Sequence, residues 1–312
     1  MKKLKKKIKI KVVGVGGSGG NAISRMSNFK IEGVELIAIN TDYQDLKKIK
    51  ADLKLMIGKK LTRGLGAGMN PEIGQRAAEE NRNEIQEVLK DSDMVFITGG
   101  EGGGTFTGAA PIVSEIAKNL GVLTVAVVTK PFSFEGRTRM KIANDGIEKL
   151  REKTDSLICI QNDKLLEILD LKTKVSSAFW FCDYILREAV KGISDLITSP
   201  GIINVNFADV KSILKNSGTA IFGIGKAKGE KRAEEAAKLA LNSPLLNLTP
   251  KGARGVLFSV SGFENVSLSE VQDIGKILTK EINPGAKVIF GAIQDGKLKK
   301  EEIKVTVIAT GF

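Results

Sequence analysis

The stretch from Thr98 to Pro111 limits what this chain can become more than any other part of it. It reads Thr-Gly-Gly-Glu-Gly-Gly-Gly-Thr-Phe-Thr-Gly-Ala-Ala-Pro, and six of its fourteen residues are glycine, at 99, 100, 102, 103, 104 and 108. An apolar run, Met94 to Ile97, precedes it, and a helical pattern carrying Ile112, Val113, Ile116 and Leu120 follows. Glycines between a strand and a helix let the backbone take positive φ and turn successive N–H groups toward one point. The helix behind adds free N–H groups and the positive end of its dipole. Thr105 and Thr107 supply hydroxyls at the same place. The stretch reads as a loop that holds phosphate; a flexible linker would not sit tightly between a buried strand and a helix.

Around it the first half of the chain alternates strand and helix. Ile8–Val13, Val34–Ile39, Leu53–Ile57, Met94–Thr98, Leu123–Thr129 and Ser156–Ile160 are short apolar runs of strand length. Helical patterns separate them, Glu72–Leu89 among these, softly broken near Asn81–Asn83. This rhythm predicts an α/β fold, a Rossmann-like doubly wound parallel sheet. A short helix over Lys164–Leu169 and a long one over Ser176–Thr198 come next, the latter stopped by Ser199-Pro200-Gly201. Helices are then expected over Asp209–Leu214, Lys231–Leu241 and Leu268–Ile282, and strands over Thr219–Ile224, Val256–Ser261, Val288–Ile293 and Ile303–Thr310. The reading is a nucleotide-binding domain over 1–175, a connecting helix over 176–200, and a smaller α+β domain over 201–312.

Composition narrows the chemistry. The chain has 312 residues, 42% of them hydrophobic, and no apolar run reaches the ~18 residues that would cross a bilayer. Neither secretory signal nor low-complexity segment is visible, so a cytoplasmic protein is the expectation. Net charge is +12, but seven of the positive charges lie in the first eleven residues, and without that lysine arm the figure is +5. A body-wide nucleic-acid surface is not indicated, and the arm reads as a solvated lead-in to the first strand. Histidine is absent, which removes His triads and His metal ligands and leaves carboxylates, amides, hydroxyls and backbone for any catalysis. Cys159 and Cys182 sit in apolar surroundings and read as buried free thiols.

A second glycine cluster, Gly14-Val15-Gly16-Gly17-Ser18-Gly19-Gly20, follows the first strand and contains the spacing of a dinucleotide fingerprint, with Asp42 near the place of a ribose ligand. One dinucleotide pyrophosphate gives no need for the longer cluster at 99–108, so a nicotinamide dehydrogenase has little support. The Walker pattern Gly-x4-Gly-Lys-Ser/Thr is missing as well. Several glycine loops at one edge of a sheet point to a mononucleotide triphosphate held mostly by backbone N–H.

At this point the residues become familiar. Gly102-Gly103-Gly104-Thr105-Phe106-Thr107-Gly108 resembles the signature loop of the tubulin/FtsZ family. Gly14–Asn21, Asn40-Thr41-Asp42, Gly64–Gly68, Thr129–Arg139 and Asn204–Asp209 extend the likeness over nearly the whole chain, toward the prokaryotic division proteins rather than eukaryotic tubulin. The resemblance implies GTP and GDP as ligands, with Mg²⁺. It places Gly17, Ser18, Gly19 and Asn21 on phosphates and base, and wraps Gly102, Gly103, Gly104, Thr105, Phe106, Thr107 and Gly108 around the phosphates. Ala67, Gly68 and Met69 would sense the γ-phosphate, and Glu135 and Arg139 would hold ribose and phosphate. Asn162, Phe179 and Asp183 would surround guanine; an aromatic face stacks on a purine, and a carboxylate can accept two N–H groups from the guanine edge.

The resemblance further implies catalysis split between molecules. A loop after the central helix, here Asn204-Val205-Asn206-Phe207-Ala208-Asp209, would reach the GTP of the next subunit, with Asn204, Asn206 and Asp209 as its polar groups. Phosphoryl transfer needs mainly positioning and charge neutralisation, so a carboxylate and Mg²⁺ suffice without histidine. A head-to-tail contact of this kind does not close and makes filaments, here for division at mid-cell. Two residues depart from the family pattern. Asn206 stands where an aspartate is usual, and an amide cannot attract a cation as a carboxylate does, so slow turnover is expected. Phe106 replaces a glycine, and its ring must either point away from the phosphates or restrict the loop. The resemblance also implies membrane-anchoring division partners, which in the family dock on a terminal peptide that does not appear up to Phe312. The alternative is a structural filament protein that binds nucleotide but hydrolyses little.

Overall fold

Where the apolar runs end, the chain turns, and the computed structural model of the protein resolves the turns into a single sheet flanked by helices. It describes residues 8–29, 31, 33–166, 170, 173–198, 201–242, 250–263, 266–280 and 282–312. Most of the lysine arm, residues 167–169 of the short helix expected over Lys164–Leu169, and the Ser199-Pro200 stop lie outside them.

The elements run β1 (Ile10–Val15), α1 (Gly16–Ser27), β2 (Val34–Asn40), α2 (Tyr43–Lys48), β3 (Leu53–Met56), α3 (Lys59–Thr62), α4 (Pro71–Glu80), α5 (Arg82–Leu89), β4 (Met94–Gly100) and α6 (Gly104–Asn119). They continue with β5 (Leu123–Lys130), α7 (Arg137–Lys153), β6 (Ser156–Gln161), α8 (Asn162–Leu166), α9 (Val175–Thr198), β7 (Gly201–Ile203) and α10 (Phe207–Leu214). The chain closes with β8 (Gly218–Lys228), α11 (Arg232–Leu241), β9 (Gly255–Gly262), α12 (Leu268–Thr279), β10 (Lys287–Gln294) and β11 (Glu302–Thr310). The strands predicted from the sequence are all present. The helix expected over Glu72–Leu89 is two, since Asn81 at the break spends its side-chain oxygen on the N–H of Gly58, 2.7 Å away. The short strand β7 and helix α2 are additions that their few residues did not signal.

Strand order is β3-β2-β1-β4-β5-β6-β8-β11-β9-β10-β7. From β3 to β6 every pairing is parallel, so the sheet is doubly wound. Side chains of β1 alternate between faces: Ile10 and Val12 join the core under α1 and α9, and Val13 and Val15 join the core under α4 to α7. The smaller half is not a detached sheet. Ser156 of β6 pairs with Gly218 of β8 in parallel, and β8, β11 and β9 continue antiparallel. Helices α11 and α12 close a third core against it.

Helix α9 lies along the face of both halves. Ile185, Leu186, Val190 and Ile193 are fully buried, and Gly192 lets it approach Thr306 of β11 and Phe222 of β8. Fully burying aliphatic side chains of this size is worth roughly 1.5–3 kcal/mol each, so α9 binds the two halves firmly.

Candidate functional site

The strand order reverses between β1 and β4, and there α1 leaves toward one face of the sheet and α6 toward the other. Such a switch point opens a crevice at the carboxyl ends of the strands. Both helices start in it without a side-chain cap, α1 after Val15 and α6 after Gly103. Their free N–H groups and positive dipole ends are what an anion binds. The hydroxyls of Thr41 and Thr105 meet at 2.7 Å beside the gap.

The stretch 98–111 takes a different form from the loop the sequence predicts. Helix α6 begins at Gly104, so Thr105 to Pro111 are already helical. Within 98–108 only Gly102 has positive φ, at 91°. Its N–H donates to Thr107 Oγ1 at 3.0 Å, the Gly104 N–H to Gly68 O at 2.9 Å, and the Glu101 N–H to Thr129 O at 2.9 Å. The donors left for an anion are therefore Gly103 and the next N–H groups of α6, not the whole run. Glycine at 108 serves proximity instead: a Cβ there would stand 1.9 Å from Pro71 O, so α6 could not lie against α4. The Thr107 hydroxyl faces inward to Gly102, and that of Thr105 is shared with Thr41.

Phe106 resolves the choice its sequence position posed. Its ring is 3% exposed, seated over Gly99 and packed with Val13, Val15, Ile97 and Val128 in the core, away from the crevice.

Beside the phosphate end lies a cleft of about 360 Å³ walled by Gly17, Ser18, Asn21, Glu135, Arg139, Asn162, Phe179 and Asp183, all singled out from the sequence. Gly100, Glu101, Thr129 and Pro131, from stretches the sequence marks without giving these residues a role, complete the wall with Cys182 and with Arg25, which the sequence did not single out. The Phe179 ring is 41% exposed and held edge-on against Phe132, with centroids 5.4 Å apart. Asn162 is buried, and among the described residues its Oδ1 has no hydrogen-bond partner, which leaves an acceptor in the cleft wall. Glu135 accepts from the Phe132 N–H at 2.8 Å and pairs with Arg139 at 3.0 Å, so both are held in position. Arg25 Nε lies 2.7 Å from Asp183 Oδ2. Burial pushes the Asp183 carboxyl up to about 6, against the pull of Arg25. The Cys182 thiol is pushed up to about 12, first by burial and then by Asp183; neither it nor Cys159 forms a disulfide, and of the two only Cys182 is fully buried, Cys159 being half-buried where the sequence suggests that both are buried.

Glu101 is the residue here that sequence reasoning passed over. It is 2% exposed, and among the described residues neither carboxylate oxygen has a well-formed hydrogen bond, although the Thr107 hydroxyl lies close enough to act on it. The group enters where α7 carries Gly146, whose Cβ would stand 2.5 Å from Glu101 Oε2 and 2.3 Å from Thr107 Cγ2. Burial raises its pKa to about 8, and the nearby Thr107 hydroxyl only partly offsets this.

The remaining predicted residues sit outside the cleft wall. Gly19 is buried against Thr98 O under the turn. Ala67 is buried, Gly68 and Met69 are exposed, and the segment is tied to the first residue of α6 through Gly68. Asp42 caps α2, its Oδ1 accepting from the Asp45 N–H at 2.9 Å, and it does not line the cleft. Asn204, Asn206 and Asp209 lie beyond the other end of α9. Val205 is buried between Leu196 and Gly291, so Asn204 and Asn206 on either side face outward. Asn206 is the N-cap of α10, its Oδ1 accepting from the Asp209 N–H at 2.8 Å.

A family model described as "Tubulin/FtsZ family, GTPase domain" matches residues 9–170, and one described as "FtsZ family, C-terminal domain" matches residues 218–312. An FtsZ structure from M. jannaschii, described as an empty dimer, is 50% identical with a TM-score of 0.94, covering 99% of this chain and 89% of that one. A tryptophan-to-tyrosine mutant of FtsZ from M. jannaschii is also 50% identical, with a TM-score of 0.93 and coverage of 98% and 91%. CetZ2 from Haloferax volcanii, described as a GTPγS-bound protofilament, shares the fold at 20% identity, with a TM-score of 0.83 and coverage of 97% and 92%.

Proposed function

The chain belongs to the tubulin/FtsZ family, with its GTPase domain and FtsZ-type C-terminal domain, and from that premise we propose that it binds GTP in the crevice between β1 and β4 and polymerises head to tail into division filaments. The observation that carries the reading is the pairing of two uncapped helix N-termini with a slot whose wall presents Phe179, Asp183 and the unpartnered Oδ1 of Asn162. Phosphates take the first part and guanine the second, with Glu135 and Arg139 between them. Ala67 to Met69, bonded to the start of α6, are placed to respond to a γ-phosphate.

Residues 1–175 form the nucleotide-binding part, 176–200 the connecting helix, and 201–312 the part that presents Asn204, Asn206 and Asp209 to a neighbour. Those three lie outside the cleft of their own chain, as a site completed by a second copy requires. Mg²⁺, when bound, would neutralise charge on the phosphates. Among the described residues no group of three acidic, Cys or His side chains could hold a metal, so the ion would be carried by phosphate oxygens and water. Membrane-anchoring division proteins are the partners expected of the family, nucleic acid is not, and the place of work is the cytoplasmic mid-cell division site. Among the described residues no helix is long and apolar enough to cross a membrane.

The second reading, a filament protein with little hydrolysis, rests on Asn206: the position lacks a carboxylate and its amide oxygen is engaged in capping α10. GTP turnover measured against protein concentration tests the main reading. A shared site requires specific activity to rise with concentration; a flat line refutes it. Pelleting with GTP but no phosphate release selects the second reading.

A further inference from the structure

Arg25 reaches from α1 across the mouth of the cleft and takes Asp183, with Nε at 2.7 Å from Oδ2. Asp183 is buried, whereas the Arg25 side chain is 34% exposed, so the arginine can swing into water and the carboxylate cannot follow. Of the other titratable groups of the cleft wall, Glu135 and Arg139 are paired with each other, and Glu101, whose carboxyl burial raises to about 8, is common to the wild type and the Arg25 variants, so its protons drop out of their comparison. The neighbouring Cys182 thiol stays neutral, and Arg25 is the one charge acting strongly on Asp183. The edge that guanine offers a carboxylate is N1–H beside the 2-amino group on one carbon, which is itself a guanidine unit. A guanidinium and a guanine edge thus present the same fork of donors to the same acceptor.

We propose that Arg25 is an internal stand-in for guanine, holding Asp183 ionised until the base arrives and leaving as the base takes the carboxylate. This rests on the reading of Asp183 as the guanine acceptor. The exchange has two consequences. Binding competes with the Arg25–Asp183 pair, so apparent affinity is lower than the intrinsic one by the fraction of sites the pair occupies. Binding also takes up almost no proton at neutral pH, because the carboxylate is charged before and after. Without Arg25 the buried carboxylate has no counter-charge and protonates at a higher pH, so guanine must first displace a proton.

Calorimetric titration of the full chain with GDP, in two buffers of different ionisation enthalpy at pH 6, 7 and 8, tests this on the wild type and on Arg25→Met and Arg25→Lys. Wild-type affinity should change only about twofold between pH 8 and pH 6, since the carboxyl titrates near 6. Arg25→Met should bind GDP several-fold more tightly than wild type at pH 8, lose about tenfold toward pH 6, and release protons on binding at pH 7. Arg25→Lys, which keeps the charge, should retain the flat pH profile. Arg25→Met binding more weakly than wild type at pH 8, or with an unchanged pH profile, overturns the exchange. Asp183→Asn separates the two levels. If it binds GDP as wild type does, the guanine reading of Asp183 fails; if it loses GDP while Arg25→Met matches wild type, only the exchange fails.

Discussion

Replacing Glu101 by glutamine should make the protein more stable, and by an amount that depends on pH. The carboxyl is buried beneath the turn into α6 with no well-formed hydrogen bond among the described residues, and burial, only partly offset by the Thr107 hydroxyl, raises its pKa from 4.5 to about 8. A folded-state pKa above the unfolded one means that the contribution to stability is fully present below pH 4.5 and is lost as pH rises through about 8. Each unit corresponds to about 1.4 kcal/mol, so the loss is about 3 kcal/mol at pH 7 and about 4 kcal/mol at pH 8. Glutamine has nearly the same shape, does not titrate, and leaves its amide equally unpaired at every pH. Any fixed difference in packing or desolvation therefore drops out when the two proteins are compared across pH. Urea unfolding of both at pH 5, 6, 7 and 8, followed by far-ultraviolet circular dichroism, gives the comparison. The stability of Glu101→Gln relative to wild type should grow by about 3.5 kcal/mol between pH 5 and pH 8. Parallel curves would refute the reasoning and mean that the carboxyl is ionised in the folded protein, with a partner or water to hold it.

Other substitutions test other parts of the site. Asn206→Asp should raise GTP turnover without loss of stability, since aspartate caps a helix as well as asparagine does; Asn206→Ala should cost about 1 kcal/mol in chemical denaturation. Phe106→Ala should destabilise the protein by roughly 3–5 kcal/mol while calorimetric GDP affinity stays within a few-fold, because the ring fills the core and not the crevice. Gly108→Ala should lower the melting temperature and weaken GDP binding together, since its Cβ would drive Pro71 and the 67–70 segment off α6.

The parallel half of the sheet was legible in the sequence because its central strands β1, β4, β5 and β6 are buried on both faces and so appear as continuous apolar runs bounded by turns. Long α9 was legible too, from Ile185, Leu186, Val190 and Ile193 at helical spacing. Gly104 to Pro111 misled for a physical reason. Three residue types that weaken an isolated helix stand there, and only contact with α4 and the 67–70 segment makes the stretch helical. A glycine looks the same whether it supplies a left-handed turn, as at 102, or close approach, as at 108. The cleft wall divides in the same way. Residues within the glycine loops and the segment Thr129 to Arg139 could be found by pattern. The position of Arg25 and the role of Glu101 could not, because what marks each is a relation to a residue far along the chain, Asp183 for one and Gly146 for the other.

Helix α9 also acts as a ruler. Its 24 residues at ~1.5 Å each make a stiff rod of about 36 Å. Phe179 and Asp183 stand near one end, and the loop bearing Asn204 and Asn206 follows the other. If copies stack along that axis, with the loop of one meeting the cleft of the next, the repeat of the stack is at least the length of the rod. A fibre whose axial spacing fell clearly below it would have to be built on some other contact.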